Sequence, residues 1–130
     1  MRGNVSLVVA SLLTILFTIF HGAHDMIVGY APPGLMNLPM IAVLAAWLYA
    51  TLALGERRWP YVVILVLSLL AAGLPVIHAS GTKGLVGRSA PGSAGAFFFA
   101  FTLVAVGITA LVTVALSARG LWRLRRGAAR

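Results

Sequence analysis

Four long apolar runs, each of about the length needed to cross a bilayer, constrain the fold of this chain more than any other feature. They cover residues 4–23, 38–54, 59–77 and 94–117, and the charged residues lie outside them. The hydrocarbon core of a bilayer is about 30 Å thick and takes about 20 helical residues to cross. Lipid offers the backbone no hydrogen-bonding partner, and the period-two alternation of barrel strands is absent, so these runs must be helices. The sequence therefore predicts an all-α integral membrane four-helix bundle with up-down-up-down topology.

The composition excludes several other classes of protein. Of the 130 residues, 61% are hydrophobic, 9% are charged and none is cysteine, whereas a soluble domain has about 25% charged residues. Four spans fill a chain of this length, so we expect residues 1–130 to form a single transmembrane domain. A separate soluble catalytic domain, a disulfide scaffold and a cysteine-based metal site are excluded.

The distribution of basic residues predicts the orientation in the membrane. If the helices alternate in direction, eight of the ten basic residues fall on one side, and Lys83 and Arg88 fall on the other. The eight are Arg2, Arg57, Arg58, Arg119, Arg123, Arg125, Arg126 and Arg130. Because short basic loops are retained in the cytoplasm, both termini are predicted to be cytoplasmic. The predicted location is the cell membrane, as a multi-pass protein, which in a bacterium would be the inner membrane.

Small and hydroxyl residues mark two helix faces that are expected to pack against neighbours, since helices associate in lipid through close contact. The second run carries one such face, at Ala42, Ala46, Ala50 and Ala53. The fourth run carries another at Thr102, Ala105, Thr109 and Thr113.

Polar residues on the first and third runs gather the ionisable side chains at one end of the predicted bundle. The first run has polar residues three or four positions apart, at Ser11, Thr14, Thr18, His21 and Asp25, which places them on one side of a helix. The third run has a similar stripe that ends at the same membrane face, at Ser68, Ala71, Pro75 and His78. All three histidines and one of the two acidic residues therefore lie at this end: His21, His24, Asp25 and His78.

These four residues are candidate ligands of a metal ion. Side chains at positions i and i+3 of a helix can share a cation, Asp25 adds an oxygen, and His78 completes the set from another helix. Zinc or copper fits this ligand set best. Haem fits less well, because the chain has no cysteine and no c-type attachment motif.

Two other interpretations of the cluster stay open at this stage. The hydroxyl stripe leading to His21 and Asp25 would suit a small oligomeric ion or proton transporter. Alternatively the protein is a purely structural membrane subunit, in which these side chains lie at the headgroup level and cap helix ends.

The sequence has no G-x-S-x-G or P-loop pattern. We therefore expect an accessory or binding subunit rather than an enzyme acting alone.

The segment 119–130 holds five arginines and Trp122. Such a basic cytoplasmic tail attracts anionic lipid headgroups, and Trp122 suits the membrane interface. We expect no nucleic-acid partner, because this short segment offers only a generic contact to a polyanion. A homo-oligomer or a partner membrane subunit is expected, because one small bundle has little room for a pathway of its own.

Overall fold

The computed structural model describes residues 2–31, 34–79 and 92–127, and within these it is all helical. Four α-helices and one short 3₁₀ turn follow one another along the chain. They are α1 (Arg2–Ile27), the 3₁₀ turn (Gly34–Asn37), α2 (Leu38–Leu52), α3 (Arg58–Ala79) and α4 (Ala94–Gly127). Lys83, Arg88 and Arg130, which enter the charge distribution above, lie outside the described residues.

The prediction of four helices able to cross a membrane is confirmed. The four candidate spans, each apolar enough and at least 18 residues long, are Val5–Ile27, Gly34–Leu52, Arg58–Ala79 and Ala94–Gly127. The second of them reaches this length because the 3₁₀ turn runs directly into α2.

Two helices extend beyond the apolar runs that predicted them. Helix α1 continues to Ile27 and so carries both His24 and Asp25. Helix α4 continues to Gly127, so most of the predicted tail is a direct continuation of this helix. Arginine and leucine are good helix formers, so the polar residues end the apolar run without ending the helix. At 1.5 Å per residue the 34 residues of α4 span about 51 Å, well beyond the thickness of a bilayer core.

Helix α4 packs most extensively against α3 and α1, while α2 contacts α3 and α1. Helices α1 and α3 also touch each other, and within the described residues α2 and α4 make no contact. The bundle is therefore a rhombus in cross-section, with α1 and α3 across its short diagonal. Any side chain on the inner faces of α1 and α3 can meet the other helix directly.

A closed chain of hydrogen bonds joins α1 to α2. The Trp47 indole donates to Ser11 Oγ at 2.9 Å, and the Ser11 and Thr51 hydroxyl oxygens lie 2.7 Å apart. The Thr51 hydroxyl donates to the Trp47 carbonyl at 2.9 Å, so the Ser11 hydroxyl must donate to Thr51. Every donor in this network of three hydrogen bonds has an acceptor, as burial away from water requires.

The polar stripe of α1 lies on the inner side of the helix, where Ser11 contacts α2 and Thr14 contacts α4. Ser11 and Thr14 are fully buried, and Thr14 Oγ1 lies 3.1 Å from Thr113 Oγ1. On α4 the predicted face is fully buried at Thr102 and Thr113 and half-buried at Ala105 and Thr109.

The predicted packing face of α2 is wrong at two of its four alanines. Ala42 and Ala46 are exposed, whereas Ala50 is fully buried and Trp47 is only 2% exposed. The indole explains the rotation of the helix, since it has a large apolar surface to bury and an N–H that lipid cannot satisfy. Trp47 therefore turns inward towards Ser11, and the first two alanines turn outward.

Helix α3 approaches α4 closely near the end that carries the histidines. A Cβ atom on Gly107 would lie 2.9 Å from Pro75 Cγ, so only glycine leaves room for the proline ring. Pro75 lies inside α3, which continues to Ala79. This contact places the end of α3 that carries His78 against the first half of α4.

Candidate metal centre

Three of the four predicted ligands converge at one end of the bundle. His21 and Asp25 lie one turn apart on α1, and His78 lies in the last turn of α3. One ligand atom from each lies within 4.8 Å of the other two. Asp25 stands between the histidines, with Oδ1 3.8 Å from His21 Nε2 and Oδ2 3.7 Å from His78 Nε2. The exposed fractions of the side chains are 2% for His21, 13% for His78 and 17% for Asp25.

The proton of His78 is placed by a backbone carbonyl. His78 Nδ1 lies 3.0 Å from the Leu74 carbonyl oxygen, which can only accept a hydrogen bond. Nδ1 therefore carries the hydrogen. In the neutral imidazole the other nitrogen, Nε2, then holds a lone pair, and this is the atom that faces Asp25.

The proton of His21 is placed by a hydroxyl group on α4. His21 Nδ1 lies 3.1 Å from Thr102 Oγ1. The Thr102 hydroxyl has the carbonyls of Phe98 and Phe99 as acceptors, at 2.9 and 3.1 Å. Its hydrogen is used there, so its oxygen accepts from Nδ1–H. The Nε2 atom of neutral His21 is again a lone pair directed towards Asp25.

Two imidazole lone pairs therefore face the Asp25 carboxylate. His21 Nε2 and Asp25 Oδ1 are both buried, and neither has a hydrogen-bond partner among the described residues. Buried polar atoms are normally paired, and an unpaired one costs about 1–3 kcal/mol. A metal ion bound between them would satisfy all three groups at once.

The spacing of these atoms is close to that of a coordination shell. Zinc takes imidazole nitrogen at about 2.0–2.1 Å and carboxylate oxygen at about 2.0–2.2 Å, so neighbouring ligands of a tetrahedral ion lie about 3.3–3.5 Å apart. The two distances to Asp25, one to each carboxylate oxygen, exceed this by a few tenths of an ångström, and the three ligand atoms together lie within 4.8 Å of one another. The group would therefore have to contract around an ion. Histidines that bind metals usually donate their other N–H to a carbonyl or carboxylate, which fixes the ring. Leu74 and Thr102 fill that role here.

An aromatic side chain forms one wall of the cluster. Phe99 of α4 is fully buried, and its ring centroid lies 4.8 Å from that of His21 and 5.4 Å from that of His78. Tyr30 stacks on Phe99 at 5.9 Å. This apolar wall lowers the local dielectric, which strengthens any interaction between the cluster and a cation.

The fourth predicted ligand, His24, is not part of the convergent group. It is half-buried, and its ring lies 5.6 Å from Phe98 and 5.7 Å from Phe99. Positions i and i+3 differ by about 60° around a helix. His21 therefore lies against both His78 of α3 and Thr102 of α4, while His24 lies against the phenylalanines of α4. Metal binding by any of the four residues stays a prediction.

Thr102, Phe99 and the Leu74 carbonyl were not predicted to belong to the site. Thr102 was identified only as part of a packing face, although a hydroxyl on α4 at the level of His21 was the available signal. Comparison of the chain with protein-family models, with curated proteins and with solved structures finds no match. The function is therefore inferred from the chemistry of these side chains.

Proposed function

We propose that this protein binds one divalent transition-metal ion, zinc or copper, at the end of a four-helix membrane bundle, and acts as an accessory or binding subunit. The ligands are His21 Nε2, His78 Nε2 and the Asp25 carboxylate. The observation that carries the proposal is the pair of imidazole lone pairs directed at one carboxylate, with His21 Nε2 and Asp25 Oδ1 buried and unpaired.

The ligand set favours particular ions and excludes haem. Imidazole suits zinc and copper, and three protein ligands leave a fourth position for water or for a group from a partner. An open position suits a subunit that receives or hands on an ion. A haem held by two histidines needs them on opposite faces of the macrocycle. The ring centroids of His21 and His78 are only 4.9 Å apart, which leaves no room for it.

The hydroxyl stripe of α1 supports metal binding more than proton transport. Thr14 and Thr18 lie within 2.8 Å of the carbonyl oxygens four residues earlier on α1, and Thr113 does the same on α4. Hydroxyl groups that donate to their own helix are held in place. The stripe therefore packs α1 against α2 and α4, which favours a structural role for these hydroxyl groups over a continuous proton path.

We further propose that the metal centre lies at the non-cytoplasmic face of the cell membrane, with both chain termini on the cytoplasmic side. The excess of basic residues at the opposite end supports this orientation. In this orientation a metal ion reaches the site from outside. A partner membrane subunit or a second copy of the chain would supply the fourth ligand.

The proposal is tested by isothermal titration of zinc, and separately of copper, into detergent-solubilised protein that has been stripped with a chelator. One ion per chain is expected at pH 7.5. Affinity should fall as the pH is lowered, because protons compete with the ion for both Nε2 atoms. Absence of stoichiometric binding of both metals, or binding that does not change with pH, would contradict the proposal.

A further inference from the structure

A second polar feature lies at the opposite end of the bundle, where the arginines gather. A cavity of about 510 Å³ opens there between α1, α3 and α4, and its lining includes Leu7, Tyr61, Arg119 and Arg123. Leu7 and Asp25 are 18 positions apart on α1, which corresponds to about 27 Å. The cavity is therefore separated from the metal centre by nearly the full thickness of a bilayer core. We refer to it as the arginine cavity.

Among the residues that the structure describes, no acidic side chain forms an ion pair with the arginines of this cavity. Arg119 and Arg123 lie one turn apart on α4 and so share a face. The sequence has only two acidic residues, Asp25 and Glu56. In the described part of the chain the ion pairs involve Asp25, at the other end of the bundle. Two guanidinium groups are thus available, and each has the planar fork that matches a phosphate group.

The walls of the cavity combine a polar side with an apolar one. Tyr61 is 4% exposed, and its ring lies so close to α4 that a Cβ atom on Gly120 would overlap it. Ser6 adds a polar group to the lining, while Leu7 and Leu116 line the cavity with hydrocarbon. Such a lining suits a molecule with an anionic head and an apolar tail.

The position of the cavity along the helices points to the lipid headgroup region. Just beyond Arg119 on α4, the guanidinium of Arg126 lies 3.8 Å from the centre of the Trp122 ring. Tryptophan is enriched where a helix passes from hydrocarbon to headgroups. Basic pockets between membrane helices at this level bind anionic phospholipids.

We propose that the arginine cavity is a binding site for the phosphate headgroup of an anionic phospholipid, with Arg119 and Arg123 as its ligands. The phosphate accepts hydrogen bonds from both guanidinium groups, and the start of an acyl chain lies against the leucines. The volume of the cavity falls within the range of small-molecule sites. This site is independent of the metal centre, so either could fail without affecting the other.

The experiment uses the full chain in detergent, with phosphatidylglycerol or phosphatidylcholine added in mixed micelles. Native mass spectrometry measures the fraction of chains that retain lipid. Phosphatidylglycerol should be retained at least about fivefold more tightly than phosphatidylcholine. Arg119→Gln and Arg123→Gln should each weaken its binding about fivefold, the effect of one basic contact. Both side chains are exposed, so these substitutions should leave the fold intact.

Arg125→Gln is the matched control, because Arg125 is exposed on the same helix and does not line the cavity. It removes the same charge and should change the affinity less than twofold. Equal loss in all three variants, or no preference between the two lipids, would overturn the proposal. So would complete displacement of phosphatidylglycerol by millimolar inorganic phosphate, which would assign the site to free phosphate.

Discussion

Replacement of His78 by alanine should lower the affinity for zinc by about a hundredfold or more. The three ligands come from two helices, and His78 is the only one on α3. Without it the ion retains two protein ligands one turn apart on α1, which is too few for a closed site. Changes to the groups that merely support a ligand already cost 10–100-fold. Isothermal titration at pH 7.5 measures the difference directly.

His24→Ala provides the control for this variant. His24 lies on α1 at the same end of the bundle and contacts Phe99, as His78 does, but it is outside the convergent group. Its replacement should change the zinc affinity less than about threefold. Because one missing ligand already opens the shell, the double variant His21→Ala/His78→Ala should be little weaker than either single variant. Equal losses in His24→Ala and His78→Ala would refute the ligand assignment.

Replacement of Asp25 by asparagine should separate the stability of the metal-free protein from its response to metal. In the metal-free protein the Asp25 carboxylate faces two lone pairs, whereas an amide N–H could donate to one of them. The variant should therefore be at least as stable as the wild type without metal. Zinc at a hundred times its dissociation constant should raise the free energy of unfolding of the wild type by about 2.7 kcal/mol. This gain should vanish in Asp25→Asn.

Thermal unfolding in detergent, with and without zinc, gives both quantities. Glu56→Gln is the matched control, because it removes the only other acidic side chain, which is exposed between α2 and α3. It should keep the full response to zinc. If zinc stabilised Asp25→Asn as much as the wild type, Asp25 would not be a ligand.

Hydropathy alone is enough to predict the four helices, because their cause is local. A run of apolar residues in lipid has to satisfy its own backbone, and only a helix does so. The spacing of Ser11, Thr14 and His21 also predicted which face of α1 turns inward. The gathering of His21, Asp25 and His78 at one end followed from the alternating direction of the helices.

Rotation of the helices could not be predicted in the same way, since it depends on competition between neighbours. On α2 the alanines would bury one face of the helix and Trp47 would bury another. The face with Trp47 is the buried one, because its indole N–H donates to Ser11. On α1 the choice between His21 and His24 depends on where α3 packs. Both histidines are candidate ligands by sequence, and the position of α3 brings His78 close to His21.

Helix ends and the positions of the histidine hydrogens also could not be predicted from the sequence pattern. The apolar run of α4 stops near Ser117, but nothing stops the helix before Gly127. The assignment of hydrogens to Nδ1 of both histidines requires the positions of Thr102 and the Leu74 carbonyl. With the hydrogens on Nδ1, the lone pairs of both histidines lie on Nε2 and are directed towards Asp25.

The central claim is that His21, Asp25 and His78 hold one metal ion together, and X-ray absorption at the zinc edge of the zinc-loaded protein tests it most directly. The predicted spectrum has two imidazole nitrogens at about 2.0–2.1 Å, with their outer-ring scattering, and oxygen at about 2.0–2.2 Å. In His78→Ala loaded at high zinc, one imidazole should be replaced by oxygen. A wild-type shell made only of oxygen, without imidazole scattering, would contradict the assignment.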